Sequence, residues 1–193
     1  MSEDHIKELR DIAFRKIGRN LVNFQQFERA LKLIIVRSNL RGYASEAAKI
    51  VRDKDKNIER KPLGWLVKNF FETLYSDHSS HDGPAHERDE PWMSISLRVK
   101  SNKESIRHRR RQLRELVKER NLLVHRLLLD FDPESAESCE KLICLLDEQV
   151  DRMEPQYESL RSIIGDMQAA QQEILKLLEA ELRESVREEG DAV

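Results

Sequence analysis

Residues 139–178, CEKLICLLDEQVDRMEPQYESLRSIIGDMQAAQQEILKLL, decide the fold class. Cys139, Ile143, Leu146, Val150, Met153, Tyr157, Leu160, Ile164, Met167, Gln171, Ile174 and Leu178 follow one another in steps of four and three without a slip. An apolar period of 3.5 residues sustained over that length marks a coiled-coil seam. Two ordinary amphipathic helices packed on the protein's own core give the same pattern. Pro155 interrupts the backbone hydrogen bonding of a helix, so a kink or a short turn is expected there. In either case the segment is a packing device, free to pack back on the rest of the chain or to receive a partner helix.

The surroundings agree with a helical protein. Of 193 residues, 39% are hydrophobic and 36% charged, with only 6 Gly and 5 Pro. A sandwich or barrel needs many turns, and this composition supplies few turn residues. The predicted fold class is therefore all-α, in a chain long enough for one domain with an appendage. Helix is expected over 3–39, with a possible interruption at Arg19-Asn20, and over 45–52. RDKDKNIERK (52–61) reads as a charged tether, and Pro62 fits the first turn of another helix. SDHSSHDGPAHERDEP (76–91) carries every loop signal, and SISLR (94–98) is a short extended piece. A long helix follows over 101–129, with Ser101 and Glu104 in capping-box spacing, and Phe131-Asp132-Pro133 ends it.

Charge divides the chain. Residues 133–193 hold 16 Asp/Glu and 6 Lys/Arg, a balance of −10, so residues 1–132 carry +8 within the net charge of −2. Residues 98–120 concentrate 10 basic against 3 acidic side chains, including Arg107, Arg109, Arg110, Arg111 and Arg114. A field of that sign attracts RNA phosphates, although a solvated helix face offset by the acidic segment has the same composition. No stretch is apolar enough to span a bilayer, so no membrane partner is expected. The polar N-terminus lacks a signal-peptide core, and Cys139 and Cys144 are too close on one helix to face each other. A reducing, cytoplasmic setting is the expectation.

Chemistry concentrates in KERNLLVHRLLLDFD (118–132). Leu113, Leu116, Val117, Val124, Leu127 and Leu128 outline an apolar stripe, and Arg120 stands where a hydrophobe belongs. Asn121 and His125, one turn apart, lie at its edge. An unpaired buried guanidinium is costly. Two readings follow: an ion pair with a carboxylate such as Glu28 or Glu72, or a polar groove or subunit interface where Arg120 meets an anion and His125 titrates near neutrality.

Arg120-Asn121-Leu122-Leu123-Val124-His125 resembles the Arg-polar-(x)-His signature of the HEPN superfamily, with charged residues before it and apolar then acidic residues after it. That resemblance implies a HEPN-like helical bundle over residues 1–132, followed by an acidic heptad segment over 133–193 that has no family-based account. It further implies a metal-independent endoribonuclease without cofactors, a toxin or anti-phage defence protein whose shared cleft forms between two copies. Arg120, Asn121 and His125 would then be catalytic. Members adenylylated by a partner carry Tyr two residues after the motif His; here Arg126 and Leu127 follow, so any antitoxin would act by binding. The competing readings are a non-catalytic RNA-binding protein and a helical scaffold. His78, His81 and His86, with Asp77 and Asp82, offer metal-ligand spacing or a lid, but read most simply as a solvated loop.

Overall fold

The computed structural model describes residues 3–76 and 92–190, and from residue 177 onward the backbone alone. The histidine loop thus lies outside the described residues. The chain is all-α apart from one small sheet. Its elements are α1 (Glu3–Arg37), β1 (Asn39–Tyr43), a 3-10 turn (Ala44–Glu46), α2 (Ala47–Ile58), α3 (Leu63–Tyr75), β2 (Trp92–Ser96), α4 (Lys103–His125), the short α5 (Leu127–Asp130) and α6 (Ala136–Gly190).

The heptad segment packs back on the domain. α6 lies along α1, and the bonds from α1 to it and to Glu134 just before it join residues at a nearly constant separation. Arg10 meets Glu134, Lys16 and Arg19 meet Asp147, and Asn20 meets Leu146 and Gln149. A constant offset means that the first and last helices run parallel. Buried positions on α6 are Ala136, Cys139, Leu142, Leu146, Gln149, Met153, Gln156, Leu160, Ile163 and Met167. The 3.5-residue period is as read, but alternate members shift by one: Ile143, Tyr157 and Ile164 flank the seam, half-buried, instead of lying in it. Pro155 sits inside one continuous helix on its exposed face. There, water can satisfy the carbonyl that proline leaves without a donor.

One core spans the charge boundary at residue 132. Phe24, Phe27, Leu31 and Ile34 of α1 pack with Leu66, Phe70 and Leu74 of α3, Leu113 and Leu116 of α4, and Leu146 and Leu160 of α6. The acidic segment differs from the rest in charge while sharing its hydrophobic interior. Arg19-Asn20 does not interrupt α1; Asn20 is fully buried and donates to the Leu146 carbonyl at 2.8 Å and Gln149 Oε1 at 2.9 Å.

The charged run expected to be a tether is helical as far as Ile58. Residues 47–58 form α2, because Ile50 and the buried Ile58 give the charged run an apolar side that packs against β1 and α1. The extended piece at 94–98 begins two residues earlier, as β2, and pairs antiparallel with β1 in the register Asn39↔Ser96 to Tyr43↔Trp92. Gly42 permits the close packing of α2 on β1: its φ is +153°, and a Cβ there would collide with Ile50 Cδ1.

Candidate functional site

α4 presents two faces with opposite roles. It opens one residue later than the capping-box reading placed it. The cap is Asn102, whose Oδ1 accepts from the Ser105 amide at 2.7 Å, so Ser101 is left outside. From there Leu113, Leu116 and Leu123 are buried, and Ile106, Val117 and Leu127 are half-buried against the core. Val124, placed on the stripe in the sequence reading, is 43% exposed instead. Steps of three and four from Leu113 lead through Leu116 and position 120 to Leu123, and bypass Val124.

Arg120 therefore does occupy a core-facing position. Its Nε lies 3.5 Å from Glu28 Oε1 of α1, and its Nη1 lies 3.5 Å from Asn121 Oδ1. The guanidinium thus reaches from the buried side of α4 towards the Asn121 side, linking a carboxylate and an amide. Of the two carboxylates anticipated, Glu28 is the partner; Glu72 lies beside Lys68. Asn121 and His125 are exposed, His125 in the last turn of the helix.

The outward face of α4 is a single line. Arg107, Arg111, Arg114, Lys118, Asn121 and His125 are all exposed and recur in steps of four and three. At about 100° per residue they stay within roughly 40° of one line, which extends about 27 Å along the axis. Four cations therefore lead directly to the amide and imidazole of the motif.

Arg109 and Arg110 depart from the expected basic face. Arg109 shares the inward phase of Leu113, Leu116 and Arg120. Its Nη1 donates to the Tyr75 hydroxyl at 3.2 Å, and its guanidinium lies 5.5 Å from the Phe70 ring centre. Arg110 stacks over Phe71 at 4.9 Å. These two arginines fasten α4 to α3 through cation–π contact, Arg110 while itself exposed, and Arg107, Arg111 and Arg114 face solvent. Counting helix phase from Leu113 separates the two sets from sequence alone.

An apolar cavity of about 500 Å³ adjoins the end of α4 on the opposite side, lined by Leu122, Leu123, Leu127, Phe131, Leu142 and Leu145 among others. Asn121 and His125 do not line it. Within one chain, Asn121 and His125 stand on an exposed helix surface, and Arg120 is half-buried beside them. Both cysteines are free, and burial pushes the Cys139 thiol up from its ordinary value. Among the described residues, no group of His, Cys, Asp and Glu is placed to hold a metal ion, and no helix is long and apolar enough to cross a membrane.

Fold and site together define an all-α protein with a cation-lined helix that ends in an Arg-Asn-x-x-x-His motif. No protein-family model matches the chain, and no curated protein or solved structure matches it significantly.

Proposed function

We propose that this chain is a HEPN-type endoribonuclease that acts as a homodimer, in the setting of a toxin or an anti-phage defence protein. The observation that carries the reading is the exposed line Arg107, Arg111, Arg114, Lys118, Asn121 and His125, with the Arg120 guanidinium reaching it from below. Such a line suits an RNA strand laid along α4, its phosphates on the cations and one scissile phosphate at His125.

The chemistry then needs no cofactor. A neutral imidazole takes the proton of an RNA 2′-hydroxyl, and the 2′-oxygen forms a bond to the adjacent phosphorus. The bond from phosphorus to the 5′-oxygen breaks, and that oxygen receives a proton from the imidazolium of the second copy. The products are a 2′,3′-cyclic phosphate and a 5′-hydroxyl. Arg120 offsets charge on the phosphate as it develops, and Asn121 orients the guanidinium or donates to the phosphate. A two-fold axis through the motif surface supplies the second histidine and encloses a site that one chain leaves open. An antitoxin, where one exists, acts by covering this surface.

The test is cleavage of a mixed RNA substrate by the purified protein. Wild type yields cyclic-phosphate ends, DNA is untouched, and His125→Ala abolishes cleavage with helicity and oligomeric state retained. A wild-type protein inactive on structured and unstructured RNA, with and without divalent metal, rejects the proposal. The Arg120–Glu28 contact favours a second reading, a non-catalytic helical scaffold in which Arg120 is structural. On that reading, Arg120→Met changes stability only.

A further inference from the structure

A second polar site lies where α1, α2 and the end of α3 meet the first strand. A cavity of about 350 Å³ opens there, lined by Asn39, Lys54, Asn57, Thr73, Ser76 and Arg98 together with apolar residues of α1. That volume lies at the lower end of the range for small-molecule sites, about 300–1,000 Å³.

The charges around it are unbalanced. Lys54 is half-buried and donates to the Asn39 backbone carbonyl. Arg98, also half-buried, donates through Nη1 to the carbonyls of Thr73 at 2.8 Å and Leu97 at 3.0 Å. Neither has a carboxylate within ion-pair distance among the described residues. Glu72, the one acidic residue lining the cavity among the described residues, is exposed, and its ion-pair partner is Lys68 at 3.8 Å. Burial, and then the nearby Arg41, hold the Lys54 ammonium below its ordinary pKa. Among the described residues, Asn39 Oδ1 is buried without a donor. Among those residues, then, two cations face one cavity without a compensating anion, and a buried acceptor lacks an N–H or O–H.

We propose that this cavity binds a small phosphate monoester. Its phosphate is held by Lys54 and the free edge of the Arg98 guanidinium, and a hydroxyl or amino group of its body donates to Asn39 Oδ1. A phosphate dianion suits the two cations, and a sugar phosphate or mononucleotide has the size and the donor. The site is separate from the motif on α4 and stands independently of the ribonuclease reading.

Isothermal titration and thermal unfolding of the full-length protein test it, with inorganic phosphate, ribose 5-phosphate and AMP as probes, ribose and adenosine as controls, and NaCl matched in ionic strength. The phosphate-bearing probes should bind saturably and raise the melting temperature, and the organic esters should bind more tightly than inorganic phosphate. Ribose and adenosine should do neither. Lys54→Met removes the cation together with its hydrogen bond to the Asn39 carbonyl, and affinity for ribose 5-phosphate should fall at least tenfold with the circular dichroism spectrum unchanged. Asn57→Glu, at an exposed position of α2 that lines the cavity, adds a repelling carboxylate and should abolish binding even if Lys54→Met folds poorly. Stabilisation by phosphate no greater than by NaCl overturns the proposal, as does undiminished binding by Asn57→Glu.

Discussion

Replacing Asn20 by alanine should cost far more than its polar character suggests. The side chain is fully buried in the α1–α6 seam, and its Nδ2 satisfies two acceptors, the Leu146 carbonyl and Gln149 Oε1. Gln149 is itself only 2% exposed, so its carbonyl oxygen has no route to water when Asn20 is truncated. A buried acceptor left without a donor costs about 1–3 kcal/mol. The Leu146 carbonyl, which also serves its own helix, adds a smaller amount, for a total of about 2–4 kcal/mol. For a chain of this size that is a fall in Tm of roughly 5–15 °C. Asn20→Leu combined with Gln149→Leu removes donor and acceptor together and should restore most of the loss, since two apolar groups in place of a satisfied pair are nearly neutral. The double variant should pay in register, because a buried polar pair is what distinguishes one heptad alignment from its neighbours. Urea denaturation of wild type, Asn20→Leu, Gln149→Leu and the double variant closes the cycle, with Asn20→Ala measured beside it. A loss below about 0.5 kcal/mol for Asn20→Ala refutes the reasoning, as does a double variant no more stable than the single.

Other outcomes follow from the same contacts. Charge reversal at Arg107, Arg111 and Arg114 should weaken RNA binding and flatten its salt dependence in filter-binding assays, with the circular dichroism spectrum unchanged. Arg109→Glu should instead lower the Tm, because it breaks the Tyr75 and Phe70 contacts. Ending the chain after Asp132 removes Leu142, Leu146, Met153, Leu160, Ile163 and Met167 from the core and should leave a protein without a cooperative melting transition. Hydrogen bonds from Lys16, and then Arg19, hold the Asp147 carboxyl below its ordinary range. That stability is present above the unfolded pKa of about 3.9 and is lost as pH falls through the lower folded value. Asp147→Asn should therefore lose less stability than wild type between about pH 5 and about pH 2, measured by urea midpoints.

Periodicity was legible wherever one helix face meets the core. The heptads of α6, the stripe of α3 and the long first helix could be read from spacing, since burial selects residue type every three or four positions. The displaced half of the α6 seam was not legible. Leu142 and Ile143 are both apolar, as are Ile163 and Ile164, and only the position of α1 decides which of each pair is innermost. α2 was hidden for a related reason. Its apolar face is narrow, so charge swamped the signal. β1 was hidden because its partner strand lies about fifty residues away in sequence. At the motif, spacing alone identified Arg120 as an intruder on a buried face and offered Glu28 as one of two partners. The lysine–arginine cavity was invisible, because Lys54 and Arg98 become neighbours only when α2 and the segment after β2 meet.

The parallel pairing of the first and last helices has a cost in time. Bonded partners across that seam are separated by 124 to 131 residues. At about 5–20 residues per second, a ribosome needs roughly 6–26 s to deliver the α6 residue that a given α1 residue awaits. Throughout that interval Phe24, Phe27 and Leu31 are already synthesised, and the α6 wall of their core is not, although α3 and α4 reach them sooner. Contacts across the seam are far apart in sequence, so closure of the core waits on α6. Nascent chains stalled before residue 146 should accordingly be the most chaperone-dependent and aggregation-prone species in its life history.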